Sequence, residues 1–283
     1  MLLLPSSIPS PTSGTMAIGS LRVTAYGMMI ALGVVAAVSL AGRRLAKSGA
    51  GTRDDMSSIA TWAVIGGIVG ARLYHVVTNW SAFSGDLGRI PMIWKGGLGI
   101  PGGLLGGVLC GSYGARRRGV PIPELLTAAA PAVPLAQSIG RWGNWWNQEL
   151  FGRATTLPWA LRISDDKLPA GYPSGTTFHP TFLYESLWNL ALCLLLIQLD
   201  RRMWLRPGRL FAVYLAGYFS GRFWIEGLRI DPAHVFGGLR LNQWVAAMVV
   251  VASVEFLLAD WRSRRDDVVI AMAPDDVVPR ADP

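Results

Sequence analysis

Charged side chains are scarce in this chain: Asp, Glu, Lys and Arg make up 16% of its 283 residues, whereas 51% are hydrophobic. Soluble domains carry about a quarter charged residues, so the shortage excludes an ordinary water-soluble globule and indicates a membrane protein. Cysteine is nearly missing too. Cys110 and Cys193 each sit inside an apolar run, where a free thiol behaves as a small hydrophobe, and neither a disulfide framework nor a metal site follows from them. No apolar segment holds the aspartate-rich metal motif of a phospholipid-alcohol phosphotransferase, nor the inward serine or ligand histidines of an intramembrane protease. No inverted repeat with broken helices favours a transporter or flippase. A cleaved signal peptide is excluded as well, because MLLLPSSIPSPTSGTMAIGS is broken by prolines and has no basic residue before Arg22. Residues 1–22 are expected to be a disordered tail, with Met16 an alternative start to Met1.

The apolar residues that remain fall into seven runs: 23–41, 57–77, 97–115, 122–139, 181–199, 210–228 and 244–258. About 20 residues cross a bilayer, and shorter spans occur. The expected fold is therefore an all-α polytopic membrane protein of seven transmembrane helices over residues 23–261, with a cytoplasmic tail at 262–283. The formal charge of +8 forms no continuous basic face, which argues against nucleic acid. Its residues mark alternate loops instead: Arg43, Arg44, Lys47 and Arg53, then Arg116 to Arg118, then Arg201, Arg202, Arg206 and Arg209, then Arg262, Arg264 and Arg265. These ends belong in the cytoplasm, which puts the N-terminus outside, the C-terminus inside, and a small extracytoplasmic cap at about 140–180, between the fourth and fifth spans.

Residues 140–153, GRWGNWWNQELFGR, close the fourth run with two arginines, one carboxylate and three tryptophans. Tryptophan favours the bilayer interface, and the guanidinium fork matches a phosphate. Charges inside spans are costly and become functional candidates. In the sixth run Tyr218, Arg222, Glu226 and Arg229 share a helical face, either as one structural ion pair with neighbours or as a ligand surface. His179, Tyr184, Glu185 and Asn189 in the fifth run, and Arg72 with His75 in the second, are weaker sets that also fit structural pairing. Tyr26 suits an interfacial anchor or a site residue. Gly66 and Gly70, and Gly103, Gly107 and Gly111, repeat at the four-residue spacing of close helix packing. Gly96, Gly97, Gly99, Gly102 and Gly103 also fit flexible backbone beside a ligand cavity. Arg141, Arg222 and Arg72 are expected to converge with Glu149 and Glu226 on an anionic phospholipid at the outer face.

The 140–153 stretch closely resembles the GRxGNxxNxExxG signature of the prolipoprotein diacylglyceryl transferases. AYGMMIALG around Tyr26, GGLGIPGGLLGG, HPTFLYES and GYFSGRFWIEGLRIDP look like that family's other blocks, in the family's order. The resemblance implies a seven-span fold in the bacterial cytoplasmic (inner) membrane that needs no cofactor or metal. The implied reaction moves the sn-1,2-diacylglyceryl group of phosphatidylglycerol to the lipobox cysteine thiol of a preprolipoprotein, forming a thioether and releasing glycerol 1-phosphate, the first step of lipoprotein maturation. The implied catalytic residues are Arg141, Arg222, Glu149, Asn144 and Tyr26. Substrate binding falls to Arg141 at the phosphate and to Gly152, Tyr218, Glu226, Arg229, Gly102 and Gly103. Many family members have a histidine, proposed as the base, where this chain has Pro101. Glu149, Glu226, His75 and His179 are the available replacements, and spacing does not choose among them.

Overall fold

The computed structural model describes residues 7–18, 21–202 and 205–271. It is mostly helical, with eight α-helices among the described residues: α1 (Ala25–Ser48), α2 (Arg53–Thr78), α3 (Ile100–Arg117), α4 (Ile122–Ala129), α5 (Ala132–Asn147), α6 (Thr181–Arg202), α7 (Arg209–Glu226) and α8 (Leu241–Ala271). All seven expected runs are helical. Local chemistry sets their ends. Thr24 caps α1 by accepting from the Gly27 amide, and Thr52 and Asp55 form a reciprocal capping box on α2. Proline stands in the first turn of α3 and α4, where its missing N–H costs nothing.

Three expectations change. The run at 122–139 is not one helix, because α4 ends at Ala129 and α5 starts at Ala132, with Ala130 and Pro131 as the caps between them; a proline there cannot donate back into the preceding turn. Residues 15–18 and 21–22, expected to belong to a disordered tail, and 23–24, expected to open the first span, form an antiparallel hairpin, β1 (Thr15–Ile18) with β2 (Leu21–Thr24). Ahead of it, the Ile8 amide donates to Ala160 and the Arg162 amide to Ile8, so residues 8–11 lie along the 140–180 region. Residues 1–6 and 19–20 of that expected tail lie outside the described residues. At the other end α8 continues to Ala271, past the expected start of a tail at 262, and residues 272–283 are likewise not described.

Among the described residues four helices are long and apolar enough to cross a membrane: Ala25–Ser48, Arg53–Thr78, Thr181–Arg202 and the Leu241–Ser263 part of α8. Their outward faces, and that of glycine-rich α3, carry exposed Ile65, Val69, Leu104, Leu105, Leu194 and Val251. A bilayer accounts for so much uncovered apolar surface. Between α2 and α3 the glycines work as packing residues: a Cβ on Gly70 would overlap the Gly102 carbonyl, and one on Gly102 the Gly70 carbonyl.

The 148–180 region is held by a small core of its own, Phe151, Leu161, Ile163, Phe178 and Phe182. It includes the two-residue strands β3 (Leu161–Arg162) and β4 (Thr177–Phe178), paired antiparallel. A third short hairpin, β5 (Val235–Phe236) with β6 (Leu239–Arg240), leads directly into α8. These irregular segments all gather at one end of the bundle, around the C-termini of α5 and α7 and the N-termini of α6 and α8.

Candidate active site

Three helices meet at one carboxylate. Glu185, in the first turns of α6 and 3% exposed, receives Nη1 of Arg222 from α7 at Oε1, 2.7 Å away. Its Oε2 lies 2.7 Å from Nε of Arg141 on α5, an ion pair without the alignment of a hydrogen bond. The two arginines expected to converge thus do so, and Glu185 is what joins them. Beside this junction α5 and α6 are locked in register by reciprocal bonds: Ser138 Oγ donates to the Ser186 carbonyl at 2.8 Å and Ser186 Oγ to the Ser138 carbonyl at 2.9 Å. A charge pair this far from water is kept in place only if its partners are fixed.

A second carboxylate extends the network along α7. Glu226, 1% exposed, accepts at Oε2 from Arg222 Nη2 at 2.6 Å, with Arg229 Nη1 at 3.5 Å, and at Oε1 from Asn242 Nδ2 at 3.1 Å, with Arg240 Nε 3.0 Å from the same oxygen. Arg229 is held chiefly by Asp231, through Nε at 2.6 Å and Nη2 at 2.9 Å. Burial alone would raise the Asp231 carboxyl, but the hydrogen bonds from Arg229 and the charges of Arg229 and Arg240 hold it below the ordinary 3.8. Arg222 and Glu226 are therefore more than an isolated i,i+4 pair.

The 140–153 stretch supplies the other wall. Arg141 Nη1 donates to Asn144 Oδ1 at 3.3 Å, and Asn144 Nδ2 donates onward to Glu149 Oε1 at 2.8 Å, which also accepts from Asn147 Nδ2 at 3.2 Å. Glu149 reaches this position because α5 ends in a left-handed residue, Gln148 with φ 54°. That conformation is unfavourable without glycine, by about 1–2 kcal/mol. Its side chain compensates by donating to the Pro11 carbonyl at 2.9 Å and accepting from the Ser164 amide at 2.8 Å. Tyr26 of α1 packs against Gly143, where a Cβ would meet its ring.

Gly152 forms an antiparallel bridge with Arg229, and its amide donates to the His179 carbonyl at 2.9 Å. A Cβ there would lie 2.9 Å from His179 Cβ and 3.1 Å from the Leu228 carbonyl. The glycine thus joins the 140–153 stretch to the end of α7. Nearby, His179 Nδ1 and the Tyr184 hydroxyl are 3.1 Å apart. Burial, followed by the Arg153 charge, lowers the His179 imidazole below its ordinary 6.5. Tyr218 stacks on Tyr214, with ring centroids 5.8 Å apart. It borders a small recess shared with Glu185, Asn189 and Arg222, and the buried Asn189 Oδ1 has no hydrogen-bond partner among the described residues.

Several expected residues stand elsewhere. Arg72 does not join the arginine pair: its guanidinium donates to the carbonyls of Ile90, Arg89, Gly96 and Gly97 at 2.6 to 3.0 Å, so it secures the 79–99 loop. His75 lies under that loop, beside Gly97 and edge-on to Phe83. Gly102 and Gly103 face Gly70, Tyr74, Ala71 and Gly67 of α2 and serve helix packing. Conversely, Asp231, Arg240 and Asn242 belong to the network without having been singled out. Their only signal was a run of charge and amide immediately before an apolar helix.

Sequence relationships agree with this geometry. The sequence model of the family described as prolipoprotein diacylglyceryl transferase matches residues 14–259, which takes in every residue of the network. A Streptomyces coelicolor protein named phosphatidylglycerol–prolipoprotein diacylglyceryl transferase 2 is 47% identical over 254 residues, covering 89% of this chain and 80% of its own. Proteins named phosphatidylglycerol–prolipoprotein diacylglyceryl transferase from Frankia alni and Mycobacteroides abscessus are 48% identical over 266 residues (93% and 70% covered) and 44% over 285 (94% and 82%). A match that spans the helices, the 148–180 region and the buried charges alike places this chain in the prolipoprotein diacylglyceryl transferase family.

Proposed function

We propose that this chain transfers the sn-1,2-diacylglyceryl group of phosphatidylglycerol to the lipobox cysteine thiol of preprolipoproteins, releasing glycerol 1-phosphate. One observation carries the reading: Arg141 and Arg222, from different helices, are held on the two oxygens of Glu185. In the reaction the thiolate sulfur bonds to the terminal glycerol carbon of the diacylglyceryl group. The carbon–oxygen bond breaks, and its electron pair leaves on the phosphate ester. Charge grows on that ester, where preorganised guanidinium groups stabilise it most effectively. Arg141 Nη2 and Arg222 Nε have no protein partner among the described residues, so both arginines keep a donor for the phosphate.

The thiol proton needs an acceptor. Glu226 is engaged by Arg222, Arg229, Arg240 and Asn242, which suits it to anchoring. Both amide donors to Glu149 fall on Oε1, leaving Oε2 open, and Glu149 is the base we favour. Asn144 orients it, Tyr26 and Tyr218 donate to lipid oxygens, Gly152 holds the cap on α7, and Arg229 braces Glu226. The seven helical passes lie in the bacterial cytoplasmic membrane, with the 140–180 cap and the N-terminus outside and the C-terminus inside. The basic ends at 43–53, 116–118 and 201–209 support that orientation.

The test is purified full-length chain with phosphatidylglycerol labelled in its acyl chains and a lipobox peptide. Label is expected on the peptide cysteine. Arg141→Ala is expected to abolish transfer while the protein still accumulates in the membrane. Label that never reaches the cysteine refutes the function, and full activity of Arg141→Ala refutes the site.

A further inference from the structure

At the opposite end of the bundle lies a second cavity, of about 460 Å³, between the C-terminal turns of α1 and α6 and the face of α4. Four cationic side chains, Arg43, Arg44, Lys47 and Arg201, line it against two carboxylates, Glu124 and Asp200. Arg44 is accounted for: it pairs with Asp200 at 3.2 Å and donates to the Ala128 and Thr127 carbonyls at 3.3 and 3.2 Å. Arg43, Lys47 and Arg201 have no ion pair or hydrogen bond among the described residues and are exposed. Topology alone requires basic residues at this end of the helices, but it does not require three helices to enclose a volume with them. Concentrated like charge around a cavity is unfavourable until an anion enters.

We infer that this cavity binds a phosphate-bearing anion, the headgroup of an anionic phospholipid. Its volume falls within the range of small-ligand sites, about 300–1,000 Å³. Leu40 and Ile197 on its wall offer an apolar path for an acyl chain beside the charged floor, which a free phosphate would not need. Arg44 supplies the fixed guanidinium. Arg43, Lys47 and Arg201 close on the phosphate from α1 and α6. The site is separate from the Glu185 junction: Asp200 stands fifteen residues along α6, about 22 Å at 1.5 Å per residue.

The experiment titrates purified full-length chain in neutral detergent with phosphatidic acid, phosphatidylcholine, glycerol phosphate and inorganic phosphate, counting bound molecules by native mass spectrometry. Wild type is compared with the triple variant R43Q/K47Q/R201Q, so that lipid held at the Glu185 end is common to both. Each lost cation is expected to weaken phosphatidic acid binding about fivefold, and the triple change on the order of a hundredfold, removing one bound lipid. Phosphatidylcholine is expected to show no such difference. Equal binding of phosphatidic acid to both proteins overturns the site. Inorganic phosphate or glycerol phosphate binding with the same affinity and the same loss overturns the lipid as the source. Should the triple variant misfold by circular dichroism, Lys47→Gln alone, at an exposed helix end, carries the fivefold expectation. No arm measures transfer, so the outcome is independent of the transferase reading.

Discussion

Glu185→Gln separates charge from shape at the centre of the site. The amide has nearly the volume of the carboxylate, so no cavity forms and the helix packing of α5, α6 and α7 is kept. What is lost is the charge between Arg141 and Arg222, two contacts of 2.7 Å each. Removing one partner of a buried ion pair costs about 3–5 kcal/mol. Arg222 keeps Glu226 at 2.6 Å, so the cost falls mainly on Arg141, whose other contact is the 3.3 Å bond to Asn144, and about 2–3 kcal/mol is a fair share. An unanchored guanidinium drifts, and misplacement by about 1 Å lowers the rate about a hundredfold. The local potential meanwhile becomes more positive, which favours an anionic lipid in the ground state. The expected result is a split: kcat for transfer to a lipobox peptide about a hundredfold lower, with KM for phosphatidylglycerol unchanged or reduced. Steady-state kinetics in mixed micelles, varying lipid at saturating peptide, measures both. A kcat within twofold of wild type refutes the claim that Glu185 positions the arginines, and a large rise in KM alone points to lost binding.

Gly152→Ala is expected to strain the seam between cap and α7, since its Cβ would meet His179 Cβ at 2.9 Å and the Leu228 carbonyl at 3.1 Å. Overpacking of this kind costs about 1–3 kcal/mol, and a lowered unfolding midpoint together with at least tenfold lower transfer checks it. Pro101→His changes an exposed first-turn residue of α3, and activity within about threefold of wild type, or above it, is expected if no histidine base is needed there. A loss beyond tenfold contradicts that. His179 has its native value lowered below 6.5, so as pH falls from 6.5 the unfolded chain takes up a proton before the folded one, and stability drops until the native value is reached. His179→Gln is expected to flatten the fall in unfolding midpoint just below pH 6.5, and an unchanged slope removes the role.

The helices were legible because apolar runs of this length have few alternatives, Arg222 and Glu226 because charge inside such a run is too costly to be incidental, and Arg141 because it stands in a tryptophan-rich cluster at the edge of one. The limits were equally physical. A charged residue shows in sequence, but its partner does not. Arg72 looked like a ligand contact and proves to serve four backbone carbonyls, as five donors on one planar group allow. Glu185 and Asn189 were candidates that fitted structural pairing as well as a site, and Glu185 collects arginines from two other helices. Asp231 and Arg240 are nine residues apart in a loop without periodicity, and only the β5–β6 turn brings them within 3.0 Å. The β1–β2 hairpin was missed because its strands are short and preceded by prolines, which resemble a solvated tail until residues 8–11 find the cap.

The buried network also explains why so many charges tolerate an apolar setting. Arg141, Arg222, Arg229 and Arg240 are four guanidinium groups, and Glu185, Glu226 and Asp231 are three carboxylates, interleaved so that each carboxylate touches at least two arginines. Alternation of sign keeps each desolvated group beside an opposite charge. These seven salt-bridged groups carry one positive charge in surplus, and the Glu149 carboxylate stands outside the alternation because it meets Arg141 only through the Asn144 amide. Interleaving holds the donors at fixed positions in the empty site, so the cost of organising them falls on folding and leaves the reaction little rearrangement to make.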